Sequence, residues 1–519
     1  MSGEQYDIVV IGAGSAGAVV AARASEEPGR SVLLIDAGPD YPVLKETPYD
    51  LVNSHQNSTR DHDWGFAYQP TEAGRGQPFP RGRVTGGSSA VNTTIALRGM
   101  PEDYDGWAAA GNPEWAWEKV LPAFKRLERD LDFGSEPYHG DAGPISIRRY
   151  PHEELTVVHQ HWLEASRELG YPDCPDANGP ESWGSGPHPM NKLGRLRIST
   201  AIGYLSPARA RPNLTIQGNT LTRRLIIEDG RVVAAEVERD GQVELVRGRL
   251  FVLSAGALQS PAMLMRSGIG PRAQLESFGI EVVRDVPAVG AKLSDHPALA
   301  LRARVKDPAI IDPDHPIVQT ILRYTSKGGP RNDLQIEAFS YSTRQAPGPD
   351  GKTAFDCIAI AAVLEQVEGT GTLELASADP HAGPVVRNRF CEDERDLVRL
   401  RECFKDTMAY TETRAMREII DEVVFPAPDR PLDDEAIDML LRRFSASGYH
   451  PCATLRMGPA GDPDAVVDQY GRAHMVEGLV IADASIMPTV PRANTNLTSI
   501  MIGEMVGEWV RTRPGWYGL

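Results

Sequence analysis

Three groups of residues in this sequence have types and spacings that do chemistry. The first is Gly12-Ala13-Gly14-Ser15-Ala16-Gly17. An apolar run, Ile8 to Ile11, precedes it, small residues follow, and a second apolar run, Val32 to Ile35, ends at Asp36. Strand, glycine turn, helix, strand and terminal acid in that order form the fingerprint of a dinucleotide site. Gly12 permits the tight turn, Gly14 lets the backbone approach a pyrophosphate, and Gly17 lets helix and strand pack closely. The helix N-terminus offers unpaired N–H groups and a positive dipole end to the phosphates. Asp36 stands where a carboxylate accepts ribose hydroxyls. The unit alone does not separate NAD from FAD. The second group lies in Arg81 to Gly99, where Gly86, Gly87, Ser88, Ser89 and Asn92 open an apolar helix. Its N–H groups and hydroxyls suit a second part of the cofactor, and a capped helix with a glycine loop would read the same way. The third group is His450, in a Gly/Ser-flanked loop, with Asn494 and Asn496 ahead of a helix starting near Thr498. A histidine titrates near neutral pH and can take a proton, although a lone histidine is more often structural. The helix N-terminus would present a partial positive charge, and the two asparagines would equally serve as caps.

The elements that position these groups follow from periodicity. Val120, Leu121, Phe124, Leu127 and Leu131 share one face, so Trp117 to Leu131 reads as a helix with Pro122 tolerated in its first turn. Thr156 to Leu169 reads as another helix. Leu214 to Val246 alternates around Asp229-Gly230 and predicts a hairpin. Leu250 to Leu253 is a buried strand, and Ser260-Pro261 starts a helix that Gly268 ends. Between about 300 and 390 come strand-like segments, Leu334 to Tyr341 and Cys357 to Leu364 among them. Asp393 to Tyr410 and Asp434 to Phe444 read as helices, Leu479 to Asp483 as a strand and Thr498 to Val510 as a closing helix. The sum is a nucleotide-binding unit scattered along the chain, with a mostly β insertion.

At 519 residues the chain needs two or more structural units. A net charge of −17, from 54 basic and 71 acidic residues, argues against nucleic acid and anionic membrane as partners. The five cysteines show no C-x-x-C pair, so the expectation is reduced thiols in a cytoplasmic protein. No secretory signal pattern precedes the first strand, and no apolar run approaches the length of a membrane span.

Taken together, RGRVTGGSSAVN at 81–92, GALQSPAMLMRSGIG at 256–270 and the histidine–proline to asparagine stretch at 450–496 resemble the glucose–methanol–choline (GMC) family of FAD oxidoreductases. Asp63-Trp64, Tyr138-His139-Gly140, Val289-Gly290 and Asp295-His296-Pro297 fit as well, and the similarity runs along nearly the whole chain. The resemblance implies an α/β fold: a Rossmann-like FAD-binding domain (1–155, 196–300 and 440–519) plus a substrate-binding domain (156–195 and 301–439) with a mostly antiparallel β-sheet flanked by helices. It makes the cofactor FAD. Gly12, Gly14, Ser15, Ala16, Gly17, Asp36, Ala37 and Gly38 would hold the ADP half. Arg83, Gly86, Gly87, Ser88, Asn92 and Thr93 would lie along the pyrophosphate and isoalloxazine. Leu221 would meet the adenine through its backbone. Ala255, Asp483 and Ala484 would stand by the ribityl and pyrophosphate region, and Asn494, Thr495 and Thr498 by the ring. His450 is the implied base and Asn496 the second catalytic position. Some relatives attach FAD through a histidine just before the equivalent of Asn92; here Val91 stands there, so the expectation is non-covalent FAD.

The implied reaction is oxidation of a primary or secondary alcohol (sugar, aryl or aliphatic) by hydride transfer to flavin N5 while His450 takes the hydroxyl proton. Oxygen or a soluble redox partner would be the acceptor, and Tyr449 would touch the substrate. A lyase of the hydroxynitrile type, which binds FAD without net redox, is the alternative. A nicotinamide reductase would leave 81–92 and 450–496 unexplained.

Overall fold

The computed structural model describes residues 5–342, 356–427 and 432–519. Fourteen strands build its two main sheets. In chain order they are β1 Gln5–Ile11, β2 Val32–Ile35, β3 Gly184–Pro187, β4 Leu214–Gln217, β5 Thr220–Glu228, β6 Arg231–Arg239 and β7 Gln242–Leu253. They continue as β8 Pro297–Val305, β9 Thr320–Tyr324, β10 Leu334–Ser342, β11 Cys357–Leu364, β12 Ile420–Phe425, β13 Ala446–Ser447 and β14 Leu479–Ile481. The longer helices are α1 Gly17–Ala24, α2 Trp117–Leu127, α3 Val157–Glu168, α4 Gly256–Arg266, α5 Glu394–Tyr410, α6 Asp434–Phe444 and α7 Thr495–Thr512.

The first sheet runs β4-β2-β1-β7-β6-β5. Its centre is parallel: β1 lies between β2 and β7, in register Ile8 with Val32 and Ile8 with Leu250. The apolar runs are continuous because these strands are covered on both faces; every residue of β2 is buried. Strand β7 has 12 residues, enough to pair antiparallel with β6 along its first half and parallel with β14 along its second. The chain leaves β1 toward β2 on one side and returns as β7 on the other. That reversal opens a crevice at the carboxyl ends of β1 and β7, where ligands bind in such sheets. The predicted hairpin forms at Asp229-Gly230, both in the left-handed region (φ 48° and 78°).

The second sheet is antiparallel, in the order β12-β8-β11-β10-β9-β3, with β13 pairing β8. Helices α3 and α5 pack on it. All five cysteines are buried, and Cys174, Cys391, Cys403 and Cys452 are free thiols. Among the described residues no helix is long and apolar enough to cross a membrane.

Four sequence expectations are corrected. Helix α2 ends at Leu127, not Leu131: Glu128–Asp130 turns into a short strand beside Ile145–Ile147, because the buried carboxylates of Glu128 and Asp130 pair with Arg98, His139 and Arg149. Pro122 sits past the first turn of α2, and the carbonyl it leaves unpaired is that of exposed Glu118, within reach of water. Residues 81–99 hold only a short 3₁₀ turn, Gly87–Ala90, instead of an apolar helix. Helix α4 starts at Gly256, which puts Pro261 inside it. The acceptor that Pro261 cannot bond, Ala257 O, instead receives the Thr454 hydroxyl at 2.7 Å. Residues 343–355 and 428–431 of the expected insertion lie outside the described residues.

Candidate active site

Two glycine turns meet back to back at the crevice. Gly12 has φ +98°, and a Cβ there would fall 2.4 Å from Ser254 O; a Cβ on Gly17 would fall 1.9 Å from Gly12 O. Gly14 meets nothing closer than Gly87 Cα at 3.9 Å, so its face stays open for a ligand. A Cβ on Gly87 would lie 2.6 Å from Gly14 Cα, and Gly86 N–H donates to Ala13 O at 2.7 Å. Asp36 closes this end: its two oxygens accept from Ala13 N–H and Gly38 N–H, both at 2.8 Å. Burial pushes its carboxyl up to about 6.

A cleft of about 510 Å³ runs from here to His450. Of the residues expected at the site, Gly12, Gly14, Ser15, Ala16, Asp36, Ala37, Gly87, Ser88, Asn92, Thr93, Leu221, Ala255, Tyr449, His450, Asp483, Ala484, Asn494, Thr495 and Asn496 line it. Five do not. Gly17 carries the helix–strand contact, and Gly38 is closed off by the Arg83 carbonyl, 2.1 Å from an added Cβ. Gly86 joins the two turns, and the Arg83 guanidinium lies over the Trp64 ring at 5.1 Å. Thr498 is fully buried, its hydroxyl 2.9 Å from that of Tyr104. Helix α7 begins three residues earlier than expected, so its free N-terminal amides belong to the 495–498 turn and Thr498 points into the core. Asp483 lines the cleft but spends both oxygens on protein, accepting from Gly256 N–H and the Ser260 and Ser485 hydroxyls.

At the far end the His450 loop is held against strain. Tyr449, 45% exposed, has φ +66°, a conformation a bulky residue adopts only when its surroundings impose it. The Ser447 hydroxyl accepts Tyr449 N–H at 2.7 Å, and Asp295 Oδ1 accepts the N–H of both His450 and His296 at 2.9 Å. Asp295 Oδ2 takes Ser447 Oγ and Asn388 Nδ2. A Cβ on Gly448 would press on His450 Nδ1 at 3.1 Å and on His296 Cβ at 3.3 Å.

The imidazole of His450 is bracketed. Asn494 Nδ2 donates to Nε2 at 3.0 Å, and Nδ1 stands 2.9 Å from His296 Nδ1. With Nε2 accepting, the ring proton sits on Nδ1 and is donated to His296. Burial, reinforced by His296 and Arg81, holds His450 well below its ordinary 6.5, so it is a neutral base at pH 7. Burial likewise brings His296 down to about 3.

The second catalytic position is where the structure departs most from the sequence expectation. Asn494, not Asn496, meets His450. Asn496 Oδ1 accepts from Ser15 Oγ at 2.8 Å, beside the dinucleotide turn, and its Nδ2 is buried without a partner. Neither side chain caps α7. Sequence reasoning also assigned no role to Asp295, His296, Ser447 or Arg81. Asp295-His296-Pro297 and the Arg81 stretch stand out as motifs, yet nothing in one sequence ties them to a loop that lies far along the chain from both.

Residues 6–298 match the family model for the N-terminal part of GMC oxidoreductase, and residues 368–503 match the C-terminal one. The chain is 35% identical to oxygen-dependent choline dehydrogenase 1 of Chromohalobacter salexigens, covering 98% of this chain and 95% of that protein. It is 34% identical to 5-(hydroxymethyl)furfural oxidase of Methylovorus sp., covering 98% and 99%. Pyridoxine 4-oxidase from Mesorbium loti superposes with a TM-score of 0.89 at 28% identity, covering 97% of this chain and 98% of that one.

Proposed function

The chain belongs to the GMC oxidoreductase family, and on that premise we propose that it oxidises an alcohol to its carbonyl compound with bound FAD, His450 taking the hydroxyl proton. One observation carries the reading: a neutral, half-buried imidazole acceptor and an amide donor, 3.0 Å apart, close the same cleft that begins at the Gly12 turn.

The residues present fit FAD. The open face of Gly14, the Gly12 and Gly87 turns and Asp36 make a cradle for the pyrophosphate and ribose, and Leu221 with Thr222 borders the adenine end. The unpartnered Asn496 Nδ2 offers a donor between the two ends. The amides at the start of α7 favour negative charge beside them. Val91, on the cleft wall, carries no nucleophile, so the cofactor is held without a covalent bond. When bound, FAD accepts the hydride. The protein's part is the proton and the position. A carbinol placed between His450 and Asn494 gives its proton to Nε2 and receives N–H from Asn494 Nδ2 as its oxygen gains charge. The chain from His296 to Asp295 fixes the ring that receives the proton.

The relatives are named for choline, 5-(hydroxymethyl)furfural and pyridoxine, and an alcohol is read as the substrate here. Oxygen or a soluble carrier takes the electrons, and the free thiols of Cys174, Cys391, Cys403 and Cys452 accord with a cytoplasmic location. Residues 1–155, 196–300 and 440–519 are assigned to holding FAD, and 156–195 with 301–439 to the substrate. Strand β3 and most of the second sheet support that division, with Pro297–Ala300 and Ala446–Ser447 extending the second sheet just beyond it.

The test is anaerobic mixing of the yellow protein with a panel of alcohols. Bleaching of the flavin band is the expected result, and His450→Ala keeps FAD but slows bleaching by about 10²-fold or more. Admitting air then shows whether oxygen is the acceptor. A flavin that no alcohol bleaches in a protein that splits a cyanohydrin would overturn the reading.

A further inference from the structure

The cleft wall beside His450 carries a cation, Arg81, whose charge is favoured by Asp295 and Asp63 nearby without a direct ion pair to either. The Nε and Nη2 atoms of Arg81 are buried without a hydrogen-bond partner, and among the described residues no carboxylate forms an ion pair with its guanidinium. The guanidinium lies over the Phe79 ring at 4.6 Å. Phe79 in turn faces Tyr449, with ring centroids 6.3 Å apart, and Tyr449 precedes His450 in the chain. Arg81 therefore faces the alcohol end of the cleft, while the next residue, Gly82, packs against Gly87 of the second glycine turn. It is close enough to His450 for its charge to be felt there. Burial brings it down to about 10, so it is cationic at neutral pH.

The carboxylates within reach are already spent. Asp63 accepts Arg81's own backbone N–H at 2.7 Å and Gly65 N–H at 3.0 Å. Both oxygens of Asp295 hold the His450 loop. Glu337 Oε1 accepts from Gln335 Nε2 at 2.7 Å and faces His188 Nε2 at 3.1 Å. Glu365, on the same wall, is pushed by burial up to about 8 and is neutral at pH 7. An unpaired guanidinium at a desolvated wall is costly unless a partner arrives, and its planar fork matches a carboxylate in two parallel hydrogen bonds.

We propose that Arg81 recognises a carboxylate on the substrate, making the substrate an alcohol that bears a carboxylate group. This rests on the alcohol-oxidising reading. Tyr449, Trp64 and Phe66 along the same wall suit a flat apolar body between the two polar ends.

The experiment uses the flavin-loaded protein and two matched pairs. Benzoate and benzamide, neither oxidisable, report binding through the flavin spectrum. The hydroxymethyl derivatives of the same two compounds report reduction. The wild type is expected to bind benzoate about tenfold or more tighter than benzamide. It should show the same preference in the KM of the oxidisable pair. Arg81→Gln brings both ratios near one, and Arg81→Lys keeps part of the preference. A wild-type ratio near one, or a ratio that Arg81→Gln leaves intact, overturns the proposal. Loss of flavin from Arg81→Gln would mark misfolding, and the wild-type and Arg81→Lys ratios then decide. Bleaching by the uncharged hydroxymethyl amide judges alcohol oxidation separately, so the two readings fail independently.

Discussion

His450 can act as a base at neutral pH only while its imidazole stays uncharged. Burial first, then His296 and Arg81, all disfavour the charged form. The sign is clear: a lowered pKa keeps the base unprotonated well into acid. The rate of flavin reduction at saturating alcohol is therefore expected to stay flat from pH 8 down through 6.5 and to fall only below that. Stopped-flow reduction across this range checks it, and a rate already halved at pH 7 would contradict the burial argument. The asparagines divide the remaining work. Asn494→Ala removes the side-chain donor on His450 Nε2 and is expected to slow reduction by about 10²-fold. Asn496→Ala cuts the link to Ser15, so its larger effect should fall on FAD affinity. Measuring single-turnover reduction beside FAD titration for both variants tells the two roles apart. One sequence could not make this division: Asn494 and Asn496 are two residues apart, and which faces the histidine depends on where α7 starts.

The elements matter here mainly through how they are tied to the His450 loop. Pro261 leaves Ala257 O without its helical partner, and Thr454, four residues after His450, donates to it. The loop and α4 therefore repair each other. Thr454→Val keeps the shape but leaves a buried carbonyl unpaired, at a cost of about 1–3 kcal/mol. A lower thermal midpoint with the FAD spectrum intact is the expected outcome, and an unchanged midpoint would show that water replaces the hydroxyl. Elements with strong local signals were legible in the sequence. β1 and β2 read as continuous apolar runs, the Asp229-Gly230 turn forms the hairpin, and α5 carries its Asp393 cap. Elements decided by distant partners were not legible. Helix α2 stops at Leu127 because Glu128 and Asp130 meet Arg98 and Arg149, and no periodicity reveals that encounter. The stretch after Gly87 looked helical from its small apolar residues, yet it is held by a neighbouring glycine turn and by Thr200.

On the scale of the whole molecule, the cleft is where the two sheets meet. The carboxyl ends of β1, β2 and β7 supply one wall, and Ala298, Ala300, Gln335, Glu337, Ala361 and Val363 of β8, β10 and β11 supply the other. Many separated stretches of chain, from Ile11 to Ser499, border it. The order of those stretches was readable as motifs; their convergence required the reversal at β1, which is a property of the assembled sheet. A ligand that fills such a cleft ties the walls together, and one that binds only the folded protein stabilises it by mass action. FAD at a hundredfold over its Kd is expected to add about 2.7 kcal/mol. The thermal midpoint of protein stripped of flavin should therefore climb with added FAD and keep climbing as its concentration rises. Because Val91 offers no attachment point, acid precipitation should leave a colourless pellet and a yellow supernatant. Colour retained in the pellet would mean a bond formed elsewhere on the wall. A midpoint indifferent to FAD would mean that the cleft between the sheets is not where the cofactor sits.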